Sequence, residues 1–110
     1  MGKTIKEQKK ITEDLKAIEQ AGSFAVVLES VTEKLARKIC NIAKIPVIGI
    51  GASKKCDGQI LVTEDLLGFF DKSPKFVKKY ENLRTKIKKA VKKYYSDVVR
   101  RSFPNKKYIY

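Results

Sequence analysis

Histidine is absent from the 110 residues of this chain. Zinc sites of the usual kind and the Ser-His and Cys-His nucleophile pairs depend on an imidazole, so the sequence excludes these classes of site. The two cysteines, Cys40 and Cys56, do not have C-x-x-C spacing. Their positions leave a disulfide open, but we expect a reduced pair, as is usual in a cytosolic protein.

Long apolar runs are also missing. None approaches the roughly 18 residues that span a bilayer, and no charged-then-apolar signal segment opens the sequence. Gly2 is present, but Lys6 stands where a myristoylation signal has Ser or Thr. No internal repeat or low-complexity linker marks a domain boundary. We therefore expect residues 1–110 to be a single segment of a soluble, cytoplasmic protein without a membrane partner.

Positive charge is abundant, with a net charge of +13 that is concentrated in residues 78–101. Such an excess raises nucleic acid as a partner, and Tyr80, Tyr94 and Tyr95 interleave with the lysines as base-stacking aromatics do. However, Tyr80 and Tyr94 fall on the apolar stripe of a helical pattern, where core packing explains them. We favour a solvated lysine-rich helix face, with nucleic-acid binding as the alternative.

The first half of the sequence alternates between helical and strand patterns. Apolar residues at helical spacing predict an amphipathic helix over about 6–21. The continuous apolar run FAVVL (24–28) predicts a strand buried on both faces. A second helix is predicted from Thr32 as N-cap to just before Pro46, and IPVIGIG (45–51) predicts a second buried strand. This short alternation favours a parallel α/β architecture.

The second half is dominated by one helical pattern. QILV (59–62) is either a third short strand or a short buried helix, because a parallel crossover usually needs a dozen or more residues. After Ser73-Pro74, interpreted as an N-cap and first helical position, apolar residues recur every three or four positions from Phe76 to Val98. They predict one long helix, or two with a bend. Two or three parallel strands leave apolar sheet edges uncovered. We therefore expect this chain to be a piece of a larger structure.

Candidate functional residues follow the predicted strands. They are Glu29, Gly49, Gly51, Glu64 and Asp65. In a parallel α/β barrel the active site lies at the C-terminal ends of the strands, so these residues could face one pocket. Each also has a structural interpretation. Glu29 could be a solvated or helix-capping acid, the two glycines could allow close packing of the backbone, and Glu64 and Asp65 could supply negative charge at a helix N-terminus.

The segments AGSFAVVLESV, IPVIGIGASKKCDGQILV and EDLLGFFDKSPKFVKKY, with the later SFP, resemble the C-terminal part of the ketopantoate hydroxymethyltransferase family of pantothenate biosynthesis. The resemblance covers nearly the whole chain, with the motifs in family order and at family spacing. It implies an α/β fold that is the C-terminal part of a TIM (β/α)8 barrel, incomplete in this chain, with a long C-terminal amphipathic helical segment. Complete barrels of this type have about 250 residues.

The resemblance also implies a function. Family members transfer a hydroxymethyl group from methylene-tetrahydrofolate to 3-methyl-2-oxobutanoate, giving 2-dehydropantoate, with Mg²⁺ chelated by the keto acid. The family motif L-E-[CS] matches Leu28-Glu29-Ser30, so Glu29 is implied as the general base that removes the proton next to the carbonyl. The family's magnesium carboxylates lie in its N-terminal half. No metal ligand or cofactor-binding residue is therefore assigned here.

Three positions differ from the family pattern. Glu64 and Tyr108 stand where the family commonly has histidine, and Thr32 replaces a frequent proline. The resemblance implies that the chain acts only with the N-terminal half, which another polypeptide could supply, and that the assembly is a homo-oligomer. The alternatives are a small basic nucleic-acid-binding protein and a structural or interaction module that associates through the apolar stripe.

Overall fold

A computed structural model describes all residues 1–110. The contacts divide the chain into two compact units, which we describe separately. The first unit comprises Met1–Leu61 with Lys75–Val77, and the second comprises Val62–Pro74 with Lys78–Tyr110. The expectation of a single segment without a domain boundary stays a prediction.

The first unit is a small parallel sheet with two helices. Its elements are α1 Ile5–Gln20, β1 Val26–Glu29, α2 Glu33–Ile42, β2 Val47–Ile50 and β3 Gly58–Gln59. The strands lie in the order β1-β2-β3, and both neighbouring pairs are parallel. The prediction of two helices and two strands in parallel alternation is confirmed, with shifts of up to three residues at the element ends.

The hydrophobic core lies where α1 and α2 meet the sheet. Its buried residues are Leu15, Leu28, Val31, Leu35, Ala36, Ile39 and Val47. Successive side chains of a strand point to opposite faces, so the helices cover only the face that carries Leu28. The prediction that the FAVVL strand is buried on both faces is therefore wrong. Val27 is 55% exposed, and Phe24, which precedes β1, is 90% exposed.

The third strand is shorter than predicted. It contains Gly58 and Gln59 only, so the QILV strand is confirmed at Gln59 and wrong for residues 60–62. Loop 51–57 connects β2 to β3 without a helix. A connection between parallel strands has to return along the length of the first strand. This short loop is long enough to do so because β2 has only four residues, each rising about 3.3 Å. The Val47 N–H donates to the Asp57 carboxylate at 2.8 Å, and the Asp57 N–H donates to the Val47 carbonyl at 2.9 Å.

The second unit contains α3 Thr63–Leu66 and α4 Leu83–Val99. The predicted start of the long helix at Ser73-Pro74 is wrong, because residues 74–82 are not helical. Instead, the Tyr80 N–H donates to the Leu66 carbonyl at 2.8 Å. This close return of the chain needs Gly68, whose φ is +72°; a Cβ there would collide with the backbone carbonyl of residue 81.

Helix α4 exposes its apolar stripe. Ile87 is 47% exposed, Val91 60% and Val98 42%, and no apolar side chain of the second unit is buried. The expectation that Tyr80 and Tyr94 pack in a core is wrong, since they are 66% and 58% exposed. The lysine-rich face is solvated, as predicted. No helix of the chain combines the length and apolarity needed to cross a membrane.

Asn82 caps α4, and removing its side chain tests how far the stability of this helix depends on local interactions. The Asn82 side-chain oxygen accepts from the Thr85 N–H at 3.1 Å. Asn82→Ala is expected to destabilise α4 by about 1 kcal/mol, because no buried side chain of this helix offsets the loss. Faster hydrogen exchange of the α4 amides would report it. Asn105→Ala is the matched control, since that side chain accepts from the Lys107 N–H outside any helix; equal exchange in both variants would contradict the prediction.

Candidate functional site

Glu29 is the last residue of β1 and lies level with Ile50 at the end of β2. Strand alternation directs Leu28 into the helix-covered core and Glu29 to the opposite face, together with Val27. Glu29 is exposed, and its carboxylate makes no hydrogen bond or ion pair within the chain. An acid in this position has both oxygens available to accept a proton.

The backbone turns sharply directly after Glu29. Ser30 has φ +53°, a left-handed conformation that is uncommon outside glycine and costs of order 1–3 kcal/mol. Two contacts hold it: the Ser30 N–H donates to the Ile50 carbonyl at 3.0 Å, and the Met1 ammonium donates to the Ser30 carbonyl at 2.6 Å. The held corner fixes where the Glu29 side chain leaves the strand.

Sequence reasoning missed this corner. A left-handed residue is normally recognised by glycine or asparagine, and serine carries no such signal. The prediction that Thr32 is the N-cap residue of α2 is confirmed. Its side chain, however, makes no capping bond. Its hydroxyl donates instead to the Gly2 carbonyl at 3.2 Å, and its N–H donates to the Met1 carbonyl at 3.0 Å.

Two glycines, Gly49 in β2 and Gly51 directly after it, are required by close packing. A Cβ on Gly49 would lie 2.9 Å from the Cys56 Sγ and 3.0 Å from the Gln59 side chain. Gly51 has φ +62°, and a Cβ there would overlap the ring of Phe76. The structural interpretation of these two glycines is therefore confirmed. The structure brings Glu29 and the start of loop 51–57 to the same end of the sheet.

Two depressions flank this end of the sheet. An open cleft of about 530 Å³ is lined by loop 51–57 together with Gly58, Gln59 and Phe76. A second, mostly apolar groove of about 260 Å³ follows the unpaired edge of β1, between that strand and α1, and includes Glu29 in its lining. The acid thus borders a groove that an additional element could fill.

Glu64 and Asp65 occupy the first turn of α3, in the second unit. The prediction that they end a strand is wrong, because β3 stops at Gln59. Their position agrees with the alternative interpretation, charge at a helix N-terminus.

The residues of this chain do not fit a magnesium site on their own. No group of three or more cysteine, aspartate or glutamate side chains is placed to hold a metal ion. Mg²⁺ prefers oxygen ligands, including one or two carboxylates, at near-octahedral positions. Ligands for the Mg²⁺ that the resemblance implies would have to come from outside this chain.

Comparisons with known proteins give a consistent result. Residues 1–106 match the family described as "Ketopantoate hydroxymethyltransferase". The chain is 55% identical over 109 residues to 3-methyl-2-oxobutanoate hydroxymethyltransferase 2 of Zymomonas mobilis, covering 99% of this chain and 40% of that protein. It is 53% identical over 109 residues to 3-methyl-2-oxobutanoate hydroxymethyltransferase of Phenylobacterium zucineum, covering 99% of this chain and 40% of that protein. It is 49% identical over 109 residues to the protein of the same name from Maricaulis maris, covering 99% of this chain and 39% of that protein.

The chain thus spans about 40% of the length of the curated relatives it matches. None of these similarities supports the nucleic-acid alternative.

Proposed function

The chain belongs to the ketopantoate hydroxymethyltransferase family, and from this membership we propose that it supplies the catalytic base of a hydroxymethyl transfer. The donor is methylene-tetrahydrofolate, the acceptor is 3-methyl-2-oxobutanoate and the product is 2-dehydropantoate. The proposed base is Glu29.

The observation that carries the proposal is the position of Glu29. It ends a parallel strand and points away from the helices. In a (β/α)8 barrel that face is the barrel interior, and the strand C-termini form the catalytic end. A barrel assembled around this sheet would therefore direct Glu29 into its active site.

The chemistry requires a carboxylate there. The keto acid carries a proton on the carbon next to its ketone, and a Glu29 oxygen accepts that proton. The carbon then bonds to the one-carbon unit of the folate, the bonds between that unit and the folate nitrogens break, and a water molecule supplies the hydroxyl group, so that tetrahydrofolate is released. Positioned general bases typically contribute about 10²–10⁴ to the rate of such a step. Because the Glu29 carboxylate has no partner within the chain, no internal hydrogen bond has to break before it acts.

We further propose that this chain is one part of a barrel whose other part supplies the metal ligands. Three surfaces of this chain support the proposal, because the other part of the barrel can pack on them. They are the unpaired edge of β1, the apolar groove beside it and the exposed apolar stripe of α4. The relatives are about two and a half times as long as the matched region. The cytoplasmic location and the homo-oligomer that the resemblance implies stay predictions.

A chimera tests the proposed function. The 109 matched residues of this chain replace the corresponding region of the Zymomonas mobilis relative, and deuterium exchange of the keto acid's α-proton in D₂O is followed by NMR. We expect exchange and product formation, with the Zymomonas mobilis protein as reference. A chimera that folds, shown by a cooperative unfolding transition, and yet exchanges no proton would contradict the proposal.

A further inference from the structure

Cys40 and Cys56 lie next to each other although their spacing in the sequence matches no pairing motif. Cys40 is on α2, Cys56 is in loop 51–57, and both thiols are free. The Cys40 S–H donates to the Cys56 Sγ at an S···S distance of 3.5 Å. A disulfide needs the two sulfurs about 2 Å apart, so small side-chain rotations would bring them within bonding distance.

The two thiols differ in their surroundings. Both are partly buried and pack against the hydrophobic core, but only Cys56 also lines the open cleft beside loop 51–57. Burial, followed by the hydrogen bond with Cys56, raises the pKa of Cys40 to about 11. Cys40 therefore stays protonated at neutral pH, and Cys56 is the thiol that a solute in the cleft meets first.

We propose that Cys40 and Cys56 form a reversible redox pair that closes to an intramolecular disulfide with a low-molecular-weight disulfide as oxidant. The Cys56 thiolate attacks one sulfur of the oxidant, forms a mixed disulfide and releases one thiolate. Cys40 gives its proton to that thiolate. The Cys40 sulfur then attacks the Cys56 sulfur and expels the second small thiolate, which takes up from water the proton that Cys56 released. Two protein thiols are oxidised and one small disulfide is reduced to two thiols.

The bridge would fix loop 51–57 to α2. Cys56 already contacts the position where a Cβ of Gly49 would lie, and the adjacent Asp57 binds the Val47 N–H. A covalent link there would hold the β2–β3 junction against the helix layer. Cross-linking two residues 16 positions apart is expected to lower the unfolding equilibrium constant about a hundredfold. The inference does not depend on the proposed function.

The test uses the 110-residue chain incubated with glutathione disulfide. Intact mass under non-reducing conditions should fall by two hydrogen atoms, dithiothreitol should restore it, and chemical unfolding should show the stability gain. Cys40→Ser should accumulate one glutathione adduct at Cys56, because the second attack is removed. Cys56→Ser should gain no adduct over the same time. The two Cys→Ala variants repeat both measurements should a serine variant fail to fold.

Three results would overturn the inference. They are free thiols that persist in the oxidant, oxidation that yields disulfide-linked dimers, and equal adduct formation in the two single variants. The last result would refute the order of attack assigned to Cys56 and Cys40.

Discussion

Replacing Glu29 by glutamine in the chimera is expected to slow exchange of the keto acid's α-proton by about 10²–10⁴. Glutamine has nearly the shape of glutamate but cannot accept the proton. The Glu29 carboxylate makes no hydrogen bond or ion pair within the chain and is exposed. The free energy of unfolding should therefore change by no more than about 0.5 kcal/mol. Proton exchange measured by NMR and unfolding in urea separate the two effects.

Two further variants sharpen this experiment. Glu33→Gln removes a matched exposed acid from the first turn of α2 and should leave exchange unchanged. Glu29→Asp keeps a carboxylate but withdraws it by one methylene, so its rate should lie between those of the parent and the glutamine variant. Exchange at the parent rate in Glu29→Gln would remove Glu29 from the catalytic role and leave family membership untouched.

The sequence predicted those parts of the fold that local pattern determines. Helices α1 and α2 were predicted because their apolar spacing coincides with the buried face, and the first two strands because each contains a continuous apolar run. The same reasoning failed after Pro74. Phe76 fits the helical period, but it packs over Gly51, a contact between residues 25 positions apart that periodicity cannot reveal. The helix begins only after Asn82, whose side chain caps it.

The candidate site was predictable to a similar degree. An acid directly after an apolar run, within a family-like motif, was enough to nominate Glu29. The left-handed Ser30 was not predictable, because serine carries no signal for that conformation. Nor was the contact between Cys40 and Cys56, which arises only when loop 51–57 folds back along β2. In each case a long-range contact decides the local structure.

Gly51→Ala is expected to destabilise the chain by about 2–5 kcal/mol. About 1–2 kcal/mol comes from placing a Cβ on a residue with φ +62°. The remainder, about 1–3 kcal/mol, comes from displacing the ring of Phe76, which occupies the space that the new methyl group needs. Urea unfolding followed by far-UV circular dichroism measures the change in unfolding free energy.

Gly22 separates these two contributions. It has φ +83°, but a Cβ added there would meet nothing within 4 Å, so Gly22→Ala should show the backbone cost alone, about 1–2 kcal/mol. In a Phe76→Ala background the ring is gone, and the cost of Gly51→Ala should fall to the same value. The difference between the two backgrounds is the coupling energy of Gly51 and Phe76. Equal costs in both backgrounds would show that Phe76 does not pack on Gly51. Since β2 ends beside Glu29, a positive coupling would also mean that Phe76 helps to hold the strand end where the proposed base lies.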